Sequence, residues 1–412
     1  MKRLNTSMFL PLFLFVLCTL FFVVSNASGI SGTGDWPRWR GPKGDGKSTE
    51  TDWDPAALSK RPNIKWRASV GYGFSSITVV DDLIYTMGNS GKQDIVYCLD
   101  AENGKVVWHF AYDCGIGQYP GPKATPAVSD GRVYTLSQEG HLFCLNAKNG
   151  KVEWKAHLVK DFGVRSPTWG FACSPVVEDD LLILNAGTAG LALDRKTGNR
   201  VWGGTSGTGG YAAPVLFDNQ GTRFVALFGE RALYGVEKEN GNLVWSYPWR
   251  TSHDVNAADP LIAGNRIFIS SNYGSGCALL EIGDENPRLV WKNNKFDSHF
   301  SSFVYIDGYI YGNDGAAFSD RGTFRCLEAD SGKEMWAADL GFGSLIAVHD
   351  KLIILNSRGD LIIADASPTS YREVSRANSI VPRKCWSPPS FSNGRIYCRN
   401  DRGEVVCIDV RR

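Results

Sequence analysis

Tryptophan recurs along the chain at a nearly constant interval, and this spacing restricts the possible folds more than any other feature. The recurring positions are Trp66, Trp108, Trp154, Trp202, Trp245, Trp291 and Trp336. Successive positions are separated by 42, 46, 48, 43, 46 and 45 residues. A period of roughly 45 residues predicts a solenoid or a propeller, because one unit of that size cannot bury a core alone.

Each repeat carries the turn residues of a four-stranded antiparallel unit. In the clearest copy, Asp130-Gly131 separates two alternating apolar runs, and Asn149-Gly150 precedes the strand that carries Trp154. Such pairs favour two-residue hairpin turns, since both central positions have positive φ. Eight copies follow one another along the chain. They begin near Phe74, Ala124, Ala172, Ala212, Ala258, Ser301, Gly343 and Trp386.

The eighth copy ends after three strands, near Val410. Its missing fourth strand is present ahead of the first copy, in the segment 63–67 that contains Trp66. A ring closed by strands from both termini leaves no open sheet edge. The sequence therefore predicts an all-β, eight-bladed β-propeller of four-stranded antiparallel blades, closed by N- and C-terminal strands in one blade. The seventh copy lacks its Trp, which predicts a degenerate outer strand there.

The first residues are typical of a secretory signal. A basic start, Lys2-Arg3, is followed by an apolar run over 8–24 and by small side chains up to Ala27. We expect residues 1–27 to be a signal peptide and the protein to be exported to the periplasm or cell envelope. An uncleaved N-terminal membrane anchor is the alternative. Residues 28–62 then form an extension that packs on the closure seam, and 63–412 form the propeller, with no membrane span in the mature chain.

Charge and cysteine content narrow the possible functions. Lys plus Arg number 44 against 43 for Asp plus Glu, a net charge of +1 that disfavours nucleic acid as a partner. Nine of the ten cysteines follow the signal segment, and an odd number cannot all pair. Four of them recur at one place in the repeat and are predicted to be small buried hydrophobic residues: Cys98, Cys144, Cys326 and Cys407. We interpret three of the others as buried and inert, with pairing or reactivity as the alternative: Cys114, Cys173 and Cys385.

The repeat resembles the PQQ-like (quinoprotein alcohol dehydrogenase-like) propeller repeat. The resemblance rests on Asp-Gly-Arg-Val-Tyr at 130–134, on Gly-x-Leu-x-Cys-Leu at 140–145 and on Asn-Gly-Lys-x-x-Trp at 149–154. This repeat is shared by pyrroloquinoline-quinone dehydrogenases and by BamB-type scaffold proteins of outer-membrane assembly. The chain looks closest to the BamB-like branch. The match extends from Trp36 to Asp409 and implies a fold rather than a function.

Membership of the dehydrogenase branch would imply a quinone between a Trp and a disulfide of two adjacent cysteines, with Ca²⁺ and an Asp base. No two cysteines are adjacent in this sequence. Asp254, Asp259 and Asp314 offer carboxylates for Ca²⁺, but their spacing does not single them out. The sequence therefore favours a non-catalytic scaffold or binding module without a cofactor. The alternative is a pyrroloquinoline-quinone-dependent alcohol dehydrogenase-type oxidoreductase with PQQ and Ca²⁺.

Aromatic residues cluster where the chain enters the inner strand of each blade. Loops at these positions open onto the central channel of a propeller. Aromatic groups mixed with a few polar ones suit recognition of an envelope protein, a peptide, a glycan or a small ring. Packing around the channel is the alternative role. The candidate ligand-binding residues are Tyr72, Phe74, Tyr119, Trp169, Phe171, Tyr211, His253, Asp254, His299, Phe300 and Trp386.

Overall fold

The computed structural model describes residue 1 and residues 34–412, except residues 206 and 284. Residues 2–27 of the expected signal peptide lie outside the described residues. The remainder forms eight antiparallel blades, which confirms the predicted eight-bladed, all-β propeller. Within the described ranges, helical structure is confined to one turn of α-helix at Leu158–Phe162 and a 3₁₀ turn at Ala317–Ser319. Among the described residues, no helix combines the length and apolar character needed to cross a bilayer.

Two strands precede the first blade, and each joins a blade formed late in the chain. They are β1 (Lys47–Ser48) and β2 (Ile64–Ser69). The first blade comprises β3 (Thr78–Val80), β4 (Leu83–Ser90), β5 (Gln93–Asp100) and β6 (Val106–Asp113). The second comprises β7 (Ala127–Ser129), β8 (Arg132–Leu136), β9 (His141–Asn146) and β10 (Val152–His157). The third comprises β11 (Val176–Glu178), β12 (Leu181–Leu184), β13 (Leu191–Asp194) and β14 (Arg200–Gly203).

The next three blades repeat this order of strands from the channel outward. The fourth comprises β15 (Val215–Asn219), β16 (Thr222–Phe228), β17 (Ala232–Glu237) and β18 (Leu243–Pro248). The fifth comprises β19 (Leu261–Ala263), β20 (Arg266–Ser271), β21 (Gly276–Glu281) and β22 (Arg288–Asn293). The sixth comprises β23 (Val304–Ile306), β24 (Tyr309–Ala316), β25 (Arg321–Glu328) and β26 (Glu334–Asp339).

The last two blades each take a strand from the N-terminal region. The seventh comprises β27 (Gly343–Val348), β28 (Lys351–Asn356), β29 (Leu361–Asp365) and β30 (Glu373–Ala377), and β1 adds to it in parallel beside β27. The eighth comprises β31 (Ser390–Ser392), β32 (Arg395–Arg399), β33 (Glu404–Asp409) and β2. Trp66 in β2 lies opposite Cys407 in β33, so the two termini close the ring in one blade as predicted.

The prediction of a degenerate outer strand in the seventh blade is wrong. Strand β30 pairs with β29 over its length and has the register shift found in the other outer strands. Backbone pairing does not need the missing Trp. Apolar side chains of the N-terminal extension, Trp53 and Leu58, belong to the same buried cluster as Ala377 of β30 and Phe391 of the eighth blade. The extension therefore supplies apolar surface between the seventh and eighth blades.

The repeated tryptophans dock each blade onto the next. The indole Nε1 of Trp108 donates to the carbonyl of Ala147 in the second blade at 2.8 Å. The face of the same indole lies against Gly150, where an added Cβ would approach the ring to 2.6 Å. Gly150 also has φ of +70°, so no larger residue fits this turn. The same bond from Nε1 to a carbonyl of the following blade is made by Trp66, Trp154, Trp202, Trp291 and Trp336.

Residues 34–58 line one mouth of the channel, at the end where turns join the first strand of each blade to the second. We call this end the lower mouth, and the opposite end, where the chain enters each inner strand, the upper mouth. Trp36 exchanges backbone hydrogen bonds with Val79 in the first blade. Arg40 donates to the carbonyl of Phe303 beside the sixth blade, and Glu50 accepts from Gly394 in the eighth. The extension therefore crosses the lower mouth, a course the sequence did not reveal.

Candidate functional site

A cavity of about 200 Å³ lies at the upper mouth. Its walls come from the segments that enter the inner strands, so loops of several blades converge on it. The side chain of Trp39, from the extension across the lower mouth, also lines it. Seven of the sequence-predicted candidates line this cavity: Phe74, Tyr119, Trp169, Tyr211, His299, Phe300 and Trp386.

Trp386 is the centre of the aromatic wall. Its ring stacks on Phe74 with centroids 5.1 Å apart and an interplanar angle of 19°. It also contacts Phe300 at 5.5 Å and Tyr119 at 6.0 Å, and Tyr119 meets Trp169 edge-on at 5.7 Å. Rings in contact from five different entry segments form a preformed apolar surface. Such a surface suits a flat or apolar group of a ligand.

A few polar groups interrupt this wall. The indole Nε1 of Trp386 and Nδ1 of His299 have no hydrogen-bond partner among the described residues. Nε2 of His299 lies 3.2 Å from the hydroxyl of Tyr273. Lys123 donates to Oε1 of Gln138 at 2.9 Å, and burial lowers the pKa of Lys123 to about 8. The wall therefore contains buried polar atoms within an apolar setting.

Asp259 lies under Trp39, and protein groups occupy both of its carboxylate oxygens. Trp39 Nε1 donates to Oδ2 at 2.6 Å and the backbone N–H of Ala213 donates to Oδ1 at 2.8 Å. Nε of Arg40 lies 3.8 Å from Oδ2. Burial raises the pKa of Asp259, and the charge of Arg40 opposes that rise. The carboxylate thus anchors Trp39 and the extension to the propeller.

Four predicted candidates do not line the cavity. Tyr72 lies exposed, with its backbone paired to Asn89. Phe171 is buried in the packing between the second and third blades, because its side chain points away from the channel. His253 is exposed and packs on Tyr273 at 4.8 Å. Asp254 forms an ion pair with Arg231 at 3.0 Å.

Several lining residues were not among the candidates. Trp39 comes from a segment whose course the repeat pattern does not reveal, and Lys123 resembles an ordinary loop lysine. Tyr273 has φ of +66°, which turns the chain after β20. Phe318 is 69% exposed at the rim, and its exposure is not visible in the sequence. The additional residues with large side chains are Trp39, Lys123, Asp259, Tyr273 and Phe318.

The residues present do not fit a calcium-bound quinone. The three carboxylates that the sequence offered are each held by a different arginine: Asp254 by Arg231, Asp259 by Arg40, and Asp314 by Arg325. Of these, only Asp259 lines the cavity. Ca²⁺ takes six to eight oxygen ligands, and an arginine beside each carboxylate opposes a second cation. No catalytic step through such a group follows from this site.

His299 gives the cavity a pH dependence that can be measured. Burial lowers the pKa of His299 to about 4, from about 6.5 in the unfolded chain. Between these values the unfolded chain binds the extra proton, so the free energy of unfolding falls as the pH drops from 6.5 to 4. We expect His299→Gln to reduce this loss by up to about 3 kcal/mol. Urea unfolding of both proteins at pH 7.5 and pH 4 measures this loss of unfolding free energy. Equal losses in the two proteins would contradict a lowered pKa of His299.

One protein family model matches the sequence, and several solved structures share the fold. A family model described as "Outer membrane protein assembly factor BamB" matches residues 91–338. No curated protein matches the sequence significantly. Quinohemoprotein alcohol dehydrogenase from Comamonas testosteroni superposes with a TM-score of 0.68 at 14% identity, covering 92% of this chain and 80% of the dehydrogenase. BamB from Moraxella catarrhalis superposes with a TM-score of 0.59 at 15% identity, covering 83% of this chain and 97% of the BamB chain. A europium-containing methanol dehydrogenase superposes with a TM-score of 0.66 at 13% identity, covering 91% of this chain and 89% of the dehydrogenase.

Proposed function

This chain belongs to the family of the outer membrane protein assembly factor BamB, and we propose that it is a non-catalytic binding module of the cell envelope. Its binding site is the aromatic cavity at the upper mouth. Its ligand is an apolar or aromatic segment of a protein partner. The stacked rings around Trp386 are the observation that supports this most strongly.

The cavity has the properties of a recognition site. Apolar rings form its wall, and Nε1 of Trp386 and Nδ1 of His299 have no hydrogen-bond partner in the described part of the chain. A bound segment gains affinity by covering the rings. Phe318 extends the apolar surface outward at the rim. A partner anchored in the cavity would therefore also contact Phe318.

The family and the expected cellular location indicate the class of partner. A member of an outer-membrane assembly family works on other proteins, and the signal-like segment 1–27 supports export to the periplasm or envelope. A near-zero net charge suits apolar contacts better than steering to nucleic acid. An extended peptide fits the mouth of a ring better than a broad flat surface does, because the cavity is small. A glycan ligand would be an outcome contrary to this proposal.

Site-specific photo-crosslinking tests the proposal. With p-benzoylphenylalanine at position 318, we expect illumination of cells to link the propeller to one envelope protein. Trp386→Ala should reduce this adduct at least fivefold, because it removes the centre of the aromatic wall. The control places the photoreactive residue at Val244, which is 41% exposed on an outer strand of the fourth blade. A protein adduct that forms equally from position 244, that survives Trp386→Ala, or that never forms would contradict the proposal.

The structural similarity to quinone dehydrogenases motivates a second candidate. Trp386 and Phe74 offer flat surfaces of the kind on which a quinone stacks. The arginine-held carboxylates argue against the calcium that this chemistry uses. We expect purified protein with PQQ and Ca²⁺ to show no dye-linked alcohol oxidation. Micromolar binding accompanied by alcohol oxidation would replace the binding-module proposal with the enzyme.

A further inference from the structure

A second cluster of ligand-type side chains lies apart from the aromatic cavity. Cys114 follows β6 in the first blade, Glu139 lies in the turn between β8 and β9 of the second blade, and His141 is the first residue of β9. One ligand atom from each of the three lies within 4.8 Å of the others. It is the one such group of three among the described residues, and it bridges two neighbouring blades.

The protein already holds two of these side chains in place. Oγ of Ser137 lies 3.1 Å from Nδ1 of His141 and accepts from the backbone N–H of both Glu139 and His141. The N–H of Gly115 donates to Oε1 of Glu139 at 2.9 Å. A hydroxyl at one imidazole nitrogen orients the ring, as partners of metal-bound histidines do.

A second histidine borders the cluster. The ring of His157 packs edge-on against His141 with centroids 4.8 Å apart, and its Nδ1 has no partner among the described residues. The cluster and its border therefore bring two imidazoles, a carboxylate and a thiol together, which are the ligand types of zinc sites.

We propose that Cys114, Glu139 and His141 bind one Zn²⁺ ion. Sulfur, carboxylate oxygen and imidazole nitrogen are the zinc ligands found in proteins, and water completes a tetrahedron. Zinc bonds of about 2.0–2.3 Å place ligand atoms about 3.3–3.8 Å apart, so a contraction of about 1 Å forms the site. The Cys114 thiol loses its proton to solvent as the zinc–sulfur bond forms. The ion would join the first blade to the second.

Metal titration of the purified full-length protein tests this site. We expect equilibrium dialysis followed by elemental analysis to give one Zn²⁺ per chain with a micromolar or lower Kd. Substitution by Co²⁺ should produce the near-ultraviolet charge-transfer band of a cobalt thiolate together with visible bands of tetrahedral cobalt. The cobalt spectrum reports sulfur ligation in the unmutated protein, so its outcome does not depend on whether a variant folds. Absence of the thiolate band would overturn the proposal.

Substitutions then assign the ligands. His141→Gln and Cys114→Ser should each weaken zinc binding at least tenfold. His109→Gln is the matched control, because His109 is an exposed histidine on β6 of the first blade, and it should leave binding unchanged. Circular dichroism confirms that each variant is folded before titration. Stoichiometric zinc binding that is equal in the folded His141→Gln variant and in the unmutated protein would also overturn the assignment.

Discussion

Trp108→Ala is expected to lower the free energy of unfolding by about 3–5 kcal/mol. The indole is 9% exposed, contacts Tyr85, and donates to the carbonyl of Ala147 in the next blade. Its removal opens a cavity between two blades and takes the shorter of two donors from this carbonyl, which keeps the 3.3 Å bond from the Tyr85 hydroxyl. Urea unfolding followed by circular dichroism measures the change.

Val107→Ala provides the matched control for this prediction. Val107 neighbours Trp108 on the same strand, but it is 50% exposed, and its truncation should change stability by no more than about 0.5 kcal/mol. The Trp108→Ala variant should also keep the crosslink from position 318, because Trp108 lies at the blade edge. Equal effects of the two substitutions, or loss of the crosslink in a folded Trp108→Ala protein, would contradict the structural role of the repeated tryptophans.

Arg399→Ala is expected to cost about 2–4 kcal/mol of unfolding free energy. The guanidinium is fully buried where the eighth blade meets the first, and burial lowers the pKa of Arg399 to about 10. It donates to the carbonyl of Ser75 at 2.7 Å and to that of Met87 at 2.8 Å. Truncation removes the guanidinium donors from these buried carbonyls at the closure of the ring.

Two further arginine variants distinguish this role from a general effect of charge. Arg399→Lys keeps the charge but not the planar fork, so we expect an intermediate loss. Arg411→Ala removes an exposed partner of Asp409 and should cost no more than about 1 kcal/mol. Equal stability of Arg399→Ala and Arg411→Ala, again by urea unfolding, would show that Arg399 does not hold the closing blades together.

The fold was predictable because its information is local and repeated. Asp130-Gly131 and Asn149-Gly150 mark turns by their backbone preferences alone, and the interval between tryptophans counts the blades. The closing strand was recognisable since Trp66 has the same sequence context as the other copies. Arg399 shows the limit, because a buried arginine at a blade interface resembles a surface residue in sequence. Its environment exists only after the ring closes.

The cavity was predictable only in part. Entry segments such as those of Phe300 and Trp386 reach the upper mouth because the repeat fixes where each inner strand begins. Phe171 enters in the same way, yet it points between blades, since side-chain direction depends on local backbone turns. Trp39 reaches the cavity from a non-repeating segment, so no periodicity announces it. The repeat pattern carries no information on the long-range contacts of irregular segments.

Fluorine NMR of the protein labelled with 5-fluorotryptophan tests the central claim most directly, which is that partners bind at the aromatic cavity. Three tryptophans line this cavity, namely Trp39, Trp169 and Trp386, while those of the repeat lie at blade edges. Upon titration with the protein that crosslinks to position 318, we predict that the resonances of these three shift and that those of Trp108 and Trp202 do not. Shifts confined to the blade-edge tryptophans, with the three cavity resonances unchanged, would contradict the account.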